Sequence, residues 1–234
     1  MMKRTTEDIV IDVIVFIIMI TVFIATVYPF YYCLVISFNE GIDASRGGIF
    51  LWPRKFTLEN YKAVFSNEQL LSGFGVTIAR TIIGTVLSLF FTGLFAYSLS
   101  HKNLLFKNIY ITLMIIAMYF SGGLIPYFVL LKHLRLLNTF WVYIIPSLLS
   151  SFNAIIMMSF FREIPNELEE SARIDGANDL TIFFRIIFPV SSPVFATVAL
   201  FNGVGHWNNW FDAAFFVNNR KLKTAAFMLM ELMN

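Results

Sequence analysis

Apolar positions dominate this chain in long unbroken runs, and the polar positions are gathered between them. No alternation of period two persists anywhere, and the runs are too long for helices with a single buried stripe. A helix crossing a bilayer needs about 20 apolar residues. Five segments meet that length, at about 10–38, 71–99, 109–131, 139–161 and 190–217. Their ends carry Tyr28, Tyr31, Tyr32, Trp141, Tyr143, Trp207 and Trp210, as aromatic belts at the membrane surface do. Pro29, Gly122, Gly123, Pro126 and Pro146 fall inside runs, which membrane helices tolerate when neighbours satisfy the freed backbone groups. The pattern predicts an all-α, polytopic transmembrane helix bundle over 1–234.

Composition agrees. Charged residues make up 14% of the chain and hydrophobic ones 58%, with a mean hydropathy of +0.72. A soluble domain carries about 25% charged residues. The net charge of +2 gives no reason to expect a nucleic acid partner. Lys3 and Arg4 precede the first run, but that run far exceeds a signal-peptide core of about 7–15 residues. It reads as a retained first span. The one cysteine, Cys33, excludes an internal disulfide and reads as a small core or lipid-facing residue. Basic residues divide nearly evenly between the two sides, so the positive-inside rule leaves orientation open.

The polar connections differ in kind. The 39–70 loop is long and aromatic, and its FTLENYKAVF suggests a short helix with Thr57 as N-cap and Asn60 at N3. The connections at 100–108 and 132–138 are short and basic. The 162–189 segment is a two-part device. Pro165 suits a helix start, and Glu167, Glu169 and Glu170 suit its positive end. Gly176 is the expected left-handed stop, Asn178 or Asp179 caps a second helix, and Pro189 ends it and opens the next span. Ser171, Ala172 and Ala177 are small and permit close approach of another surface. Taken by themselves these features also fit an amphipathic helix lying on the membrane surface.

Glu170-Ser171-Ala172-x-x-Asp175-Gly176-Ala177, followed by Phe183, Ile186 and Pro189, resembles the EAA loop of ATP-binding-cassette (ABC) importer permeases. That pattern is E-A-A-x-x-D-G-A, five residues, F, two residues, I, one residue, L-P. The chain departs at Ser171 for Ala and at Phe188 for Leu, both mild changes. FTLENYKAVF, LLNTFWVYIIPSLL, FFREIPNELEESARIDGA and WNNWFDA extend the likeness along most of the chain. It is similar to carbohydrate-uptake permeases of the maltose type, within them the LplC/YtcP-like branch. The resemblance implies a type I ABC importer permease that imports carbohydrate, in particular oligosaccharide, by alternating access. It implies a cytoplasmic 162–189 loop docking on ATPase subunits that bind ATP and magnesium, with no cofactor on this chain. It also implies a second permease subunit, an extracytoplasmic solute-binding protein, and a bacterial plasma membrane location with the N-terminus cytoplasmic. A non-sugar solute, or a membrane scaffold without transport, is the alternative. Permeases of this branch have six spans, so a sixth is expected beyond the five, with KLKTAAFMLMELMN as an outer loop leading toward it.

Other candidates are weaker. Trp207, Asn208, Asn209 and Trp210 pair stacking faces with amide donors, as a sugar pathway requires, and equally fit an aromatic belt with interhelical amide bonds. Arg80, Asp12 and Asp212 read as interfacial, Arg80 by reaching outward along its own stem. His101, His133 and His206 lack metal-ligand spacing. No H-E-x-x-H, phosphate-cradling glycine loop or G-x-S-x-G is present, and spans two to four hold no carboxylate for a proton relay, so an enzyme or proton-coupled carrier is not expected.

Overall fold

A computed structural model describes residues 6–233, so the expectation resting on Lys3 and Arg4 lies outside the described residues. The chain divides into two compact units, Met1–Glu68 and Gln69–Asn234. In the first, α1 (Thr6–Ser37) is a single apolar helix whose side chains, Cys33 included, are largely exposed. Thr21 and Thr26 donate their hydroxyls to the carbonyls of Ile17 and Val22, each at 2.8 Å. Bonding of this kind removes a polar group that lipid could not satisfy.

The stretch after α1 is ordered by Asn39. Its side-chain amide donates to Glu40 O and to Asp43 Oδ2, while its carbonyl accepts from the Lys55 amide at 2.8 Å. Arg54 Nε reaches the same Asp43 oxygen at 3.0 Å, and Phe38 stacks on Phe56. Two short helices complete the unit, α2 (Gly41–Ala44) and α3 (Glu59–Ser66). The expected N-cap is displaced. Leu58 precedes α3, and Thr57 Oγ1 instead accepts from the Glu59 amide at 3.2 Å. Asn60 turns away from the helix start to donate to the carbonyls of Ser37 and Asn39. Closing the loop onto the end of α1 outweighs a capping box.

The second unit is built on α4 (Glu68–Ser100). One face carries Gly73, Thr77, Gly84, Ser88, Thr92, Gly93 and Ala96, all buried. Spacing by three and four residues places them in one stripe, and small residues let membrane helices approach closely. A β-carbon on Gly84 would lie 2.5 Å from the His206 ring, and one on Gly93 would meet Phe195 at 3.0 Å. The unit continues through α5 (Lys107–Tyr119), α6 (Leu124–His133), α7 (Ser151–Phe161), α8 (Asn166–Ile174), α9 (Asp179–Ile182), α10 (Phe188–Val190), α11 (Ser192–Asn208), α12 (Phe211–Phe216) and α13 (Ala225–Met233). Buried amides tie the centre together. Asn153 donates to Asn202 Oδ1 at 2.9 Å, and Asn202 donates to Ser88 Oγ at 3.1 Å.

Three of the five expected spans are not single helices. α5 and α6 meet at 118° across Gly122 and Gly123, the latter at φ +82°. The fourth begins as two 3₁₀ turns, Phe140–Tyr143 and Ile145–Ser147, before α7, with a 44° bend. The fifth starts at Ser192, and its axis turns 84° from the helical run Asp179–Val190. Pro189 does not end that run, which continues to Val190 and breaks at Ser191. α11 stops at Asn208, and α12 follows after Asn209 and Trp210. The expected outer loop KLKTAAFMLMELMN is a 3₁₀ turn and then α13, seated on α4 through Met228 against Gly73 and the Ala225 amide on Thr77 Oγ1.

Hydrogen bonding from Asn39 and the nearby Arg54 guanidinium hold the Asp43 carboxyl below its ordinary value of 3.8, against the opposing effect of burial. A depressed carboxyl contributes stability that is complete above the ordinary value and drains away as pH falls toward the folded value. Amide exchange at Glu40, Lys55 and Thr57, corrected for intrinsic rate, is therefore expected to be flat from neutral pH to about 4 and to accelerate below it. Asp43→Asn should show fast exchange already at neutral pH.

Candidate functional site

The polar connector forms the helix, stop and helix that its residues suggest. α8 starts after Pro165 at φ −57° and runs to Ile174. Gly176 adopts φ +83°, and the Ala177 amide returns to Ala172 O at 2.9 Å, the six-to-one bond of a glycine-terminated helix. A β-carbon on Gly176 would meet nothing within 4 Å, so within this chain only the backbone angle asks for glycine. Asn178 caps α9 by accepting from the Thr181 amide at 2.8 Å, and Arg173 bridges the turn to Asp179 at 2.6 Å. The second helix loosens into a π-helical turn over Phe183–Ile187.

The two faces of this connector have different fates. Ile182, Phe183 and Ile187 are buried in the core with Tyr97, Phe161 and Phe195, while Ala172, Ala177 and Ile186 pack at its edge. Tyr97 stands edge-on to His101 at 4.6 Å, and His101 Nδ1 lies 3.6 Å from Glu169 Oε2. α8 is thereby tied to the end of α4. On the other face Glu170, Ser171, Asp175 and Gly176 are exposed, and so is Pro189 further on. Between them Ile174, flanked by Arg173 and Asp175, is 86% exposed. The motif treats Ile174 as a spacer and sequence reasoning passed over it. An isolated large apolar residue among Glu, Arg and Asp was the available signal.

At another part of the same unit, Arg80 is 2% exposed and does not reach outward as expected. Its guanidinium pairs with Asp212, donates to Asn209 O at 3.0 Å, faces His206 Nδ1 at 3.4 Å, and lies 4.6 Å over the Tyr143 ring. Asp212, partly buried, is therefore a partner of Arg80 within the second unit rather than a free surface charge. The same contacts fix the break between α11 and α12. Asn209 Oδ1 accepts from the Asp212 amide, and Asn208 donates back to Val204 O. Trp207, before the break, and Trp210, within it, are left 45% and 41% exposed. The four WNNW residues thus divide: the tryptophans and Asn208 are exposed, and Asn209 is half-buried and bonded within the break.

With this geometry the comparisons are specific. The family model for the binding-protein-dependent transport system inner membrane component matches residues 93–230, which contain the whole connector and the Asp212 turn. The chain belongs to this family. Protein LplC of Bacillus subtilis is 43% identical over 83% of the chain and 66% of LplC. The polygalacturonan/rhamnogalacturonan transport system permease protein YtcP of Bacillus subtilis is 39% identical over 82% of the chain and 68% of YtcP. The matched part is thus about two-thirds of the length of these relatives. A crystal structure of a bacterial ABC transporter involved in import of the acidic polysaccharide alginate superposes at a TM-score of 0.91 and 26% identity, over 99% of this chain and 82% of that one. This inner membrane component has the type I ABC permease fold, and the family is one of transporters.

Removing one partner of a buried ion pair leaves an uncompensated charge, at a cost of about 3–5 kcal/mol, whereas replacing both by apolar groups is often neutral. Arg80→Met is expected to lower the melting temperature in detergent sharply. Arg80→Met combined with Asp212→Leu should recover most of the loss, and additive losses in a thermal-shift series would contradict the pairing.

Proposed function

We propose that this inner membrane component is the permease subunit of an ABC importer for carbohydrates, oligosaccharides in particular, and that α8 is the element on which a separate ATPase acts. The observation that carries this reading is the exposed tip of the connector. Ile174, Ser171 and Gly176 form an open surface with Glu170 and Asp175 beside it, while the opposite face is anchored in the core. An apolar side chain this exposed, on a helix held to the bundle by few contacts, fits a hydrophobic cleft on a partner.

ATP and magnesium belong to that ATPase, and the chain supplies the lever. A push on α8 passes to α4 through the Glu169, His101 and Tyr97 contacts, and to α11 through the buried Phe183 and Phe195. The 118° and 84° breaks let segments of the bundle rotate as bodies between two arrangements, the usual route of rigid-body switching. Because ATP is cytoplasmic, α8 faces the cytoplasm. The four crossings between the N-terminus and α8 then put the N-terminus on the same side and the 39–70 loop outside, toward an extracytoplasmic solute-binding protein. A second permease subunit completes the pathway. Trp207 and Trp210 offer ring faces of the kind that stack on sugars, with Asn208 as a nearby amide. The names of relatives that transport polygalacturonan, rhamnogalacturonan and arabinooligosaccharides support the solute class.

Gly176→Val forces a branched side chain into a left-handed backbone, a strain of about 1–3 kcal/mol at the tip of the lever. Insertion and expression should be unchanged. Solute-stimulated ATPase activity of the assembled complex should fall at least about tenfold. Normal stimulated activity would remove α8 from the coupling role.

Loss of a stacked ring costs about 1 kcal/mol, or about fivefold. Trp207→Leu and Trp210→Leu should therefore each reduce oligosaccharide uptake by about that factor while the ATPase still co-purifies. Unchanged uptake would leave the tryptophans as belt residues.

A further inference from the structure

A recess of about 950 Å³ opens where α4, α5, α7 and α8 end together. Its wall is made by Lys102, beyond α4, by Lys107, the first residue of α5, and by Arg162, the cap of α7, with Glu169, Glu170 and Arg173 on α8. The charges of this wall do not cancel. His101 Nδ1 lies 3.6 Å from Glu169, and Arg173 turns to Asp179. Lys107 Nζ donates to the carbonyls of Ser100 and His101 at 3.2 and 2.8 Å, and Arg162 Nη2 meets only the Met158 sulfur at 3.2 Å. Among the described residues none of Lys102, Lys107 and Arg162 has a carboxylate within 4 Å, and Glu170 has no ion-pair partner. The wall thus holds four cations, Lys102, Lys107, Arg162 and Arg173, against two carboxylates, Glu169 and Glu170, an excess of positive charge that an entering anion offsets.

The position says which anion. Lys107 is the first residue of α5, Arg162 caps the end of α7, and Lys102 lies two residues beyond α4, near where the hydrocarbon of a bilayer gives way to headgroups. The buried Phe161 borders the recess on the apolar side, and the amides of Asn103 and Asn108 stand at its rim. Guanidinium and ammonium groups with amides around them match the oxygens of a phosphodiester, and basic pockets between span ends take such headgroups. We propose that this recess binds the phosphate headgroup of an anionic phospholipid, held by Lys102, Lys107 and Arg162. Because α8 forms one wall, a bound headgroup braces the lever against the bundle. Only the leaflet concerned, the cytoplasmic one, rests on the function proposed above.

The test uses the purified full chain in mixed micelles of phosphatidylglycerol and phosphatidylcholine, with retained lipid counted by native mass spectrometry. Wild type should keep one phosphatidylglycerol and release it as salt rises. Lys102→Gln with Arg162→Gln should retain at least about tenfold less, at about 1 kcal/mol per cation lost. Lys102→Arg with Arg162→Lys, which keeps the charge, should retain it. Lys107 is left in place because it closes the carbonyls at the end of α4. Equal retention by wild type and the glutamine variant, or equal retention of phosphatidylcholine, overturns the proposal. So does inorganic phosphate held in the absence of anionic lipid, which would make the site one for a free anion. Unchanged lipid with weakened ATPase co-purification in the glutamine variant also overturns it, in favour of an acidic protein segment. The lipid readout involves neither ATPase nor solute, so its failure leaves the carrier reading intact, and a coupled Gly176→Val leaves the headgroup site intact.

Discussion

A guanidinium cannot be left alone among apolar side chains, and the second unit is arranged around that constraint. Arg80 is enclosed by Asp212, Asn209, His206 and Tyr143. To bring the carboxylate of Asp212 to it, the fifth segment must stop at Asn208 and restart at Phe211. To bring His206 close, α4 must have no side chain at Gly84. The break and the glycine both serve the satisfaction of one charge. A buried pair of this kind contributes little net stability against an apolar alternative. What it does is specify one arrangement of α4 against α11 and α12.

The connector end of the unit uses the opposite chemistry. There the polar residues sit outside and the apolar ones anchor. Ile182, Phe183 and Ile187 reach the core, so α9 cannot slide without disturbing Phe195 and Tyr97. α8 has no comparable apolar anchor and is held by the Glu169 contact and by Ala172 and Ala177 at the core edge. A firmly seated second helix and a lightly held first one suit an element that receives a push and passes it on. The exposed Ile174 and the open space around Gly176 lie on the lightly held half.

Much of this was legible from the residues. Long apolar runs announced the bundle, because lipid leaves helices as the simplest way to satisfy a spanning backbone. Gly176, Asn178 and the early glutamates announced the connector, because caps and stops depend on neighbours in sequence. The illegible features are those set by distant partners. Arg80 alone reads as a residue escaping to water. Only the folded chain shows that its partner stands at Asp212. Thr57 and Asn60 have the composition of a cap, yet the carbonyls at the end of α1 claim Asn60. The Gly122–Gly123 pair reads as tolerated within one span, and it is a 118° corner.

Sequence by itself therefore determined the helical class, the polar connector with its glycine stop, and the kinship that its spacing carries. These rest on local rules, where a residue's role follows from its own chemistry and that of the next turn. Tertiary structure alone decided where helices break, which charges are buried together, and which face of α8 stays open. Those outcomes depend on contacts between residues far apart in the chain, as between Arg80 and Asp212. In an apolar medium a polar group goes wherever a partner can reach it, and that place is settled only when the whole bundle packs.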